Sequence, residues 1–537
     1  MKSPILFSTI LTALSFAGGA IADQVKMEVN LANPQLEAGV KNTTYLKVGL
    51  TGFELDAKAE RAPVNVTLVI DKSGSMSGGK IRQAREAAKM AISRLNEDDI
   101  VSLVAYDSTV HVLIPATKLT DKDEVLRRID ELGSGGSTAL FAGVSKGAAE
   151  LRKFHDRERV NRVILLSDGK ANVGPSSPGE LGELGASLVK EGISVSTIGL
   201  GTGYHEDLMA QLAMKSDGNH IFIEHAEQLA QVYDEEFGDI LSVVAQEISI
   251  EIDVAEGIRP VRVLGRDADI SGQNVVAQMN QLYSEQEKYV LLELEVPQSQ
   301  PELSRQVATV KVSYANMETN TLDELTSTVG VKFVADANRA ASAINQTVMV
   351  DCVTQIANDN NITAMKLRDQ GKVEAAQDLL HQNYYFCRTN ADWLKSEKLS
   401  TMATNNRVDW VNVQKDDSAW REARKGQVYR QIGNASQQRG YTRGGKNSES
   451  QIVEQLNTGY ATQNDDIEIQ SPPPVLNIPN NPRNGTISTQ QLLLPNQTIP
   501  APVIPQQQQP EQPPSQQAAP QPQQQQQKPI TKKAQAK

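Results

Sequence analysis

Three short clusters of oxygen-bearing side chains are the part of this sequence best suited to chemistry. Asp71, Ser73 and Ser75 follow an apolar run and lie in a turn that contains glycine. Thr138 ends a glycine-rich loop, and Asp168 follows a second apolar run and precedes a glycine. Carboxylate and hydroxyl oxygens are hard ligands of the kind that Mg²⁺ and Ca²⁺ prefer. Taken singly, these residues could be helix caps or ordinary turns, so their meaning depends on the elements that position them.

The two apolar runs, 64–70 and 160–166, are predicted to be buried strands. From residue 64 to about residue 241 the sequence alternates strands with helices. This alternation is typical of the α/β class, with a doubly wound, mostly parallel sheet covered by helices on both faces. Open α/β sheets bind ligands at the carboxyl ends of their strands. If the two strands are central neighbours, the five side chains meet on one rim of the sheet.

The remaining elements of this α/β unit are predicted from the same periodicities. The predicted strands are 100–105, 109–114 as an antiparallel edge, 193–200 and 219–223. The predicted helices are 80–95, 122–132, one from the loop 133–138 to about residue 154, 178–191, 205–215 and 226–241.

Segments in which apolar and polar residues alternate flank the α/β unit. They lie at 25–31 and 46–50 before it, and at 248–254, 291–296, 310–314 and 329–333 after it. Such alternation is typical of antiparallel strands with one buried face. We expect both sets to form one β-sandwich into which the α/β unit is inserted, because the ends of a domain usually lie close together.

Helices and then a polar tail follow the predicted sandwich. Residues 338–395 are predicted to be helical with a break at Gly371, and Cys352 and Cys387 lie on either side of it. We expect these two cysteines to form a disulfide, because a lone pair in an exported protein most simply does so; two buried thiols are the alternative. The secondary structure of the amphipathic stretch that ends near residue 435 is left open by its sequence pattern. The Pro- and Gln-rich segment beyond it cannot bury a core, and would be a spacer, a docking segment or an idle tail.

The amino terminus has the features of an export signal. Lys2 supplies a positive charge, residues 5–16 are apolar, and Ala20-Ile21-Ala22 is a small-residue cleavage site. We therefore expect an exported chain, periplasmic, secreted or at the cell surface, with no transmembrane segment after cleavage. The net charge of −12 argues against a nucleic-acid partner.

These patterns together predict the organisation of all 537 residues. The predicted parts are a signal peptide at 1–22, the first sandwich strands at 23–62, the α/β domain at 63–242, the rest of the sandwich at 243–336, a helical region at 337–436 and a disordered tail at 437–537.

The three clusters resemble a known family when they are taken together. Asp71-Lys72-Ser73-Gly74-Ser75, Thr138 and Asp168-Gly169 are similar to the metal-ion-dependent adhesion site of von Willebrand factor type A domains, over about residues 64–241. The resemblance implies a divalent cation, Mg²⁺ or else Mn²⁺ or Ca²⁺, contacted by Asp71, Ser73, Ser75, Thr138 and Asp168. Two carboxylates and three hydroxyls leave a position of such a cation open to a carboxylate of a protein partner. The layout with a sandwich also resembles inter-alpha-trypsin inhibitor heavy chains and their bacterial relatives.

An enzymatic function has less support in the sequence. The histidines show no metal-ligand spacing, and His205 is expected at the surface where a helix starts. The glycine-rich segment 199–203 lacks the Lys-Ser/Thr ending of a phosphate-binding loop and the spacing of a dinucleotide-binding loop. Ser73 has no identifiable general base. We therefore predict a metal-dependent protein-binding module and not an enzyme. A Mg²⁺-dependent hydrolase that uses the same oxygens, or a scaffold with a purely structural metal, is the alternative.

Overall fold

The computed structural model describes residues 24–55 and 61–439. The predicted signal peptide, and all but the first residues of the predicted tail, lie outside these ranges. The strands, in chain order, are β1 (Lys26–Leu31), β2 (Gln35–Glu37), β3 (Asn42–Thr51), β4 (Val64–Asp71), β5 (Ile100–Tyr106), β6 (Val110–Lys118), β7 (Val160–Ser167), β8 (Ile193–Leu200), β9 (His220–Ile223), β10 (Val243–Val254), β11 (Arg259–Leu264), β12 (Ala268–Ser271), β13 (Asn274–Tyr283), β14 (Glu287–Val296), β15 (Ser304–Asn316) and β16 (Thr321–Val334). The helices are α1 (Gly79–Ser93), α2 (Lys122–Ile129), α3 (Leu140–Leu151), α4 (Pro178–Val189), α5 (Glu206–Lys215), α6 (Leu229–Ile240), α7 (Ala337–Ser342), α8 (Gln346–Asp369), α9 (Val373–Leu394), α10 (Glu397–Asn412) and α11 (Asp417–Ser436). Within the described ranges, none of these helices is long and apolar enough to cross a membrane.

The central sheet of the α/β unit has the strand order β6-β5-β4-β7-β8-β9, and the edge strand β6 runs antiparallel to β5. Strands β4, β5, β7 and β8 are buried along their whole length because apolar side chains of helices pack on both faces. Strand β4 pairs in parallel with β5 and β7, and Ile70 lies opposite Leu166. The predicted doubly wound sheet and its antiparallel edge are confirmed. The ends of β4 and β7 therefore meet on one rim.

Helix α3 approaches strand β4 closely at Gly147. A methyl group at this position would lie 2.5 Å from Val69 Cγ2 and 3.3 Å from Thr67 Cγ2, so the short separation requires glycine. The Thr67 hydroxyl donates a hydrogen bond to the Gly147 carbonyl at 3.3 Å. Because α3 begins at Leu140, this contact sets where the loop that carries Thr138 lies on the sheet rim.

Two further sheets pack face to face through an apolar core and form the predicted β-sandwich. Their strand orders are β1-β3-β14-β11 and β12-β13-β10-β15-β16-β2. Strand β3 precedes the α/β unit in sequence, yet it pairs with β14 from Asn42 opposite Val296 to Thr51 opposite Glu287. The expected pairing of early strands with late ones is therefore correct. The sequence pattern misses β2, β11, β12 and β13, whose apolar residues are too few or too irregularly spaced.

Helices α8, α9 and α10 pack against strands β3, β11 and β14 around a further apolar core. Helices α8 and α9 flank Gly371 as predicted, and the undecided stretch forms α10 and α11. Cys352 and Cys387 are both free, buried thiols, so the predicted disulfide is not formed in the structure. Both lie in the apolar core, and Cys387 Sγ accepts a hydrogen bond from Asn406 Nδ2 at 3.4 Å. Packing and hydrogen bonds thus hold these helices together without a covalent link.

Helix α11 connects the helical region to the α/β unit. The Arg424 guanidinium donates hydrogen bonds at 2.8 Å to Glu206 and Asp207, at the start of α5, and to Asp369, at the end of α8. The Lys425 ammonium lies 2.6 Å from Glu206 Oε2. Both cationic side chains are buried, so this contact is part of the interior.

Candidate metal centre

Asp71 is the last residue of β4, and its side chain is fully buried at the rim of the sheet. The Ser73 N–H donates to Oδ1 at 2.8 Å, and the Ser167 hydroxyl donates to Oδ2 at 2.7 Å. Burial raises the pKa of Asp71, and the nearby charge of Asp168 acts in the same direction, while the two hydrogen bonds oppose them. A carboxylate removed from water in this way favours a compensating cation.

The two serines of the first cluster link it to Asp168. Ser73 Oγ lies 3.0 Å from Ser75 Oγ, and the Ser75 hydroxyl donates to Asp168 Oδ1 at 2.7 Å. The short 3₁₀ turn Gly74–Met76 holds this loop in place through the fully buried Met76 side chain. The alternative that the serines cap α1 is wrong, because its N-cap residue is Gly78.

Thr138 reaches the same rim from the loop before α3. Its N–H donates to Asn172 Oδ1 at 2.8 Å, and its carbonyl accepts from the Asn172 N–H at 3.1 Å. On the other side of the loop, the Gly74 N–H donates to the Gly136 carbonyl at 3.1 Å. The loop of Thr138 is therefore bonded both to the loop after β4 and to the loop after β7.

Gly169 marks the point on which these side chains converge. A methyl group on its α-carbon would lie 3.3 Å from Ser75 Oγ, 3.3 Å from Thr138 Oγ1 and 3.8 Å from Asp71 Oδ2. Oxygen atoms from separate loops thus surround one small space, and Asp168 borders it through its hydrogen bond with Ser75. The five residues singled out in the sequence lie together, and two carboxylates with three hydroxyls are a donor set that fits a hard divalent cation.

Sequence reasoning misses three residues of this rim: Ser167, Asn172 and Lys80. Ser167 and Asn172 hold members of the set by the hydrogen bonds described above, and the Lys80 ammonium contacts Asp168 Oδ2. Ser167 could have been found, because it directly precedes Asp168 at the end of a strand. Asn172 and Lys80 have no comparable signal in the sequence.

Lys72, in the middle of the first cluster, is directed to a different carboxylate. Its ammonium contacts Asp107 Oδ2. Although partial burial opposes the shift, this contact and hydrogen bonds from Thr109 lower the pKa of Asp107 to about 2. Asp107 therefore has a cationic partner of its own.

The glycine-rich segment 199–203 packs against the backbone of Asp168 on the rim. A methyl group on Gly203 would lie 2.8 Å from the carbonyl oxygen of Asp168. His205 directly precedes α5, where a helix is predicted to start, and its side chain is half-buried. His220 is fully buried with a ring nitrogen 2.8 Å from Thr197 Oγ1, and burial lowers its pKa to about 4. His220 is therefore neutral at neutral pH.

A doubly wound sheet with carboxylates and hydroxyls on its rim defines a class of α/β proteins that bind ligands at their strand ends. Residues 65–235 match the family model described as the von Willebrand factor type A domain. This segment of the chain is therefore a von Willebrand factor type A domain, as the resemblance of the three clusters implies.

Relatives in sequence include bacterial and vertebrate proteins. The chain is 26% identical to sll0103 of Synechocystis over 324 residues, which are 58% of this chain and 76% of that protein. It is 29% identical to YfbK of Escherichia coli over 213 residues, which are 39% of this chain and 37% of YfbK. It is 27% identical to human inter-alpha-trypsin inhibitor heavy chain H3 over 165 residues, which are 29% of this chain and 18% of the human protein. The last two similarities thus span a minor part of each relative.

Two solved structures share most of the fold. A von Willebrand factor type A protein from Catenulispora acidiphila superposes with a TM-score of 0.60 at 15% identity, covering 79% of this chain and 99% of that one. The ArnB paralog VWA2 from Sulfolobus acidocaldarius superposes with a TM-score of 0.54 at 18% identity, covering 78% and 100%. These likenesses concern the fold alone, and they extend well beyond residues 65–235.

Proposed function

We propose that this chain is a metal-dependent protein-binding module. A divalent cation, Mg²⁺ or alternatively Mn²⁺ or Ca²⁺, would be held on the rim of the α/β sheet by Asp71, Ser73, Ser75, Thr138 and Asp168. The observation that carries the proposal is the convergence of oxygen atoms from separate loops on the space beside Gly169. When bound, the cation supplies a Lewis-acidic position for an anionic oxygen.

Charge and exposure favour a carboxylate of another protein as the captured group. The two aspartates balance the charge of a divalent cation, and the three hydroxyls add no further negative charge. An approaching anion therefore meets no excess negative charge and can still be attracted by the cation. Asp71 and Asp168 are buried, whereas Ser75 is exposed. The open side of the site therefore faces solvent next to Ser75, where an acidic side chain of a partner can approach.

Direct metal binding tests the first half of this proposal. We expect the purified chain to bind Mn²⁺ in isothermal titration calorimetry, and Asp71→Ala to abolish binding because it removes a buried ligand. Asp98→Ala is a matched control, since the Asp98 side chain is 85% exposed and lies outside the set. Equal binding by the two variants would contradict the assignment.

A crosslinking pulldown from the native cell envelope tests the second half. The wild-type chain should retain its partner in Mg²⁺ and lose it in chelator, and Asp71→Ala should lose it in both. A partner that survives chelator and Asp71→Ala would leave the metal a purely structural role. Metal-dependent turnover of a phosphoester by the pure protein, lost in Asp168→Ala, would instead indicate a hydrolase.

We also propose that the chain acts after export. Support comes from residues 1–22, whose charged start, apolar run and small-residue cleavage site are typical of a signal peptide. Amino-terminal sequencing of the native protein should then begin at Asp23. A native chain that retains residues 1–22 would contradict cleavage at this site.

A further inference from the structure

We infer that Lys80 competes with the divalent cation for the carboxylate of Asp168, and so sets how tightly the site holds its metal. The inference rests on the proposed metal site and adds a regulatory residue to it. Lys80 belongs to none of the three clusters, and its role follows from where helix α1 places its ammonium.

The contact between Lys80 and Asp168 occupies an atom of the candidate metal centre. The Lys80 ammonium contacts Asp168 Oδ2, while the Ser75 hydroxyl donates to Oδ1 of the same carboxylate at 2.7 Å. The Asp168 side chain is 0% exposed and that of Lys80 is 38% exposed. Both oxygens of a buried metal ligand are thus engaged, one of them by a cation that can reach water.

The position of Lys80 in helix α1 explains why its ammonium needs the carboxylate of Asp168. Lys80 is the second residue of α1, where the helix dipole disfavours a positive charge, and no acidic residue lies in the first turn. Lys80 forms its ion pair with Asp168, and no other within the described residues 24–55 and 61–439. By contrast, Lys89 of the same helix pairs with Glu86 and with Asp130, which directly follows α2. Asp168 therefore offsets an otherwise unfavourable position for Lys80.

Competition with a divalent cation follows from the charges around the rim. Asp71 and Asp168 lie close enough to repel each other when both are ionised. The Lys80 ammonium offsets this repulsion with one positive charge, whereas a divalent cation offsets it with two. The ammonium and the cation cannot share Asp168 Oδ2. Because lysine has a long flexible stem and a strongly hydrated head, Lys80 can withdraw into water when the cation binds. Metal binding then includes the cost of breaking this ion pair and of holding two cations near each other.

The affinity of the full chain for Mn²⁺, measured by isothermal titration calorimetry, tests the inference. Lys80→Gln should bind Mn²⁺ roughly ten-fold more tightly than wild type, because a competing charge is removed. Lys80→Arg, which keeps the charge, should stay near the wild-type value. Lys89→Gln is the matched control on the same helix and should not change the dissociation constant. In chelator, Lys80→Gln should also melt at a lower temperature than wild type, since Asp168 loses its cation.

The outcomes separate this inference from the proposed function. A wild-type dissociation constant in Lys80→Gln would overturn the inference, even if partner capture still required Mg²⁺. Weaker binding in Lys80→Gln would also overturn it, and would make Lys80 a support of the site. A wild-type chain that binds no Mn²⁺ would overturn both proposals together.

Discussion

Several members of the candidate metal centre are held by neighbours that do not belong to the set. Ser167 holds Asp71 by a hydrogen bond of 2.7 Å, and Asn172 holds the backbone of Thr138 at 2.8 Å. Gly169 leaves open the space that the oxygens share. Supporting residues of this kind orient ligands and change metal affinity substantially when they are altered. The chemistry of the rim is therefore spread over more residues than the five that provide its oxygens.

Gly169→Ala should weaken Mn²⁺ binding roughly ten-fold or more. The added methyl group would lie 3.3 Å from both Ser75 Oγ and Thr138 Oγ1, and would fill the space between them. Calorimetric titration of the purified variant measures the effect. Gly179→Ala is the control, since a methyl group there would meet no atom within 4 Å. If the two variants bind Mn²⁺ equally well, the metal does not occupy the space beside Gly169.

Cys352 and Cys387 should be free and almost unreactive in the native protein. Burial raises the pKa of Cys387 to about 12 and also raises that of Cys352. The reactive thiolate is therefore scarce at about pH 8, and it should appear only when unfolding returns both pKa values to their ordinary range. A chromogenic thiol reagent, used without reductant, should detect both thiols after unfolding and neither one rapidly before it. Failure to detect them in the unfolded chain would show that the disulfide exists after all.

The strands and helices determine how closely the clusters approach each other. The parallel register that places Ile70 opposite Leu166 also places Asp71 beside Ser167, and the two side chains are hydrogen-bonded. A shift of one residue between β4 and β7 would turn Asp71 towards the other face of the sheet. Helix α3 has a comparable effect on Thr138, because its close approach at Gly147 determines where its first residue lies.

Gly147→Ala should lower the free energy of unfolding by about 1–3 kcal/mol. Alanine favours a helix by up to ~1 kcal/mol, but its methyl group would lie 2.5 Å from Val69 Cγ2 in the central strand, and valine is stiff. Denaturant unfolding followed by circular dichroism measures the change. Gly238→Ala in helix α6 meets no atom within 4 Å and should be neutral or stabilising. Matching stabilities for the two variants would contradict the role of Gly147.

Buried ionic groups join the parts of the described chain into one body. Arg162 of β7 lies 2.7 Å from Glu236 of α6 and donates to the Tyr283 hydroxyl of β13 at 2.7 Å. The α/β unit is thereby tied to the sandwich, and Arg424 of α11 ties it to the helical region. Removing Arg162 would take this cationic partner from the fully buried Glu236 carboxylate, which is strongly destabilising. The von Willebrand factor type A domain is therefore held on two sides, and its rim stays accessible next to Ser75.

Arg424→Ala should destabilise the contact between α11 and α5 by about 1–3 kcal/mol, because Glu206 keeps Lys425 and the side chains of Asp207 and Asp369 are 36% and 35% exposed. Glu206, Asp207 and Asp369 would lose the guanidinium that lies 2.8 Å from each of them. Thermal unfolding and hydrogen–deuterium exchange of α5 and α11 measure the loss. Arg421→Ala changes an exposed arginine of the same helix and should have little effect. Similar exchange in the two variants would show that the buried cluster contributes little.

The sequence by itself determined the α/β class, the sandwich and the set of oxygens on the rim. Apolar periodicity is a local signal that repeats over many residues, and parallel strands bring their carboxyl ends to one edge whatever the details of packing. Asp71, Thr138 and Asp168 could therefore be grouped before any contact was known. The short strands β2 and β12 escaped the same reasoning because each holds few apolar residues, whereas the equally short β9 is mostly apolar.

Only the tertiary structure decided which distant residues become partners. Lys80 reaches Asp168 across 88 positions of sequence, and Arg424 reaches Glu206 across 218. Cys352 and Cys387 are free thiols although their helices pack together. Such pairings depend on the exact placement of the helices relative to the sheets and to each other. No local pattern of apolar and polar residues contains that information. The oxygens proposed to hold a metal are thus readable in the sequence, whereas the lysine proposed to compete with that metal is visible only in the fold.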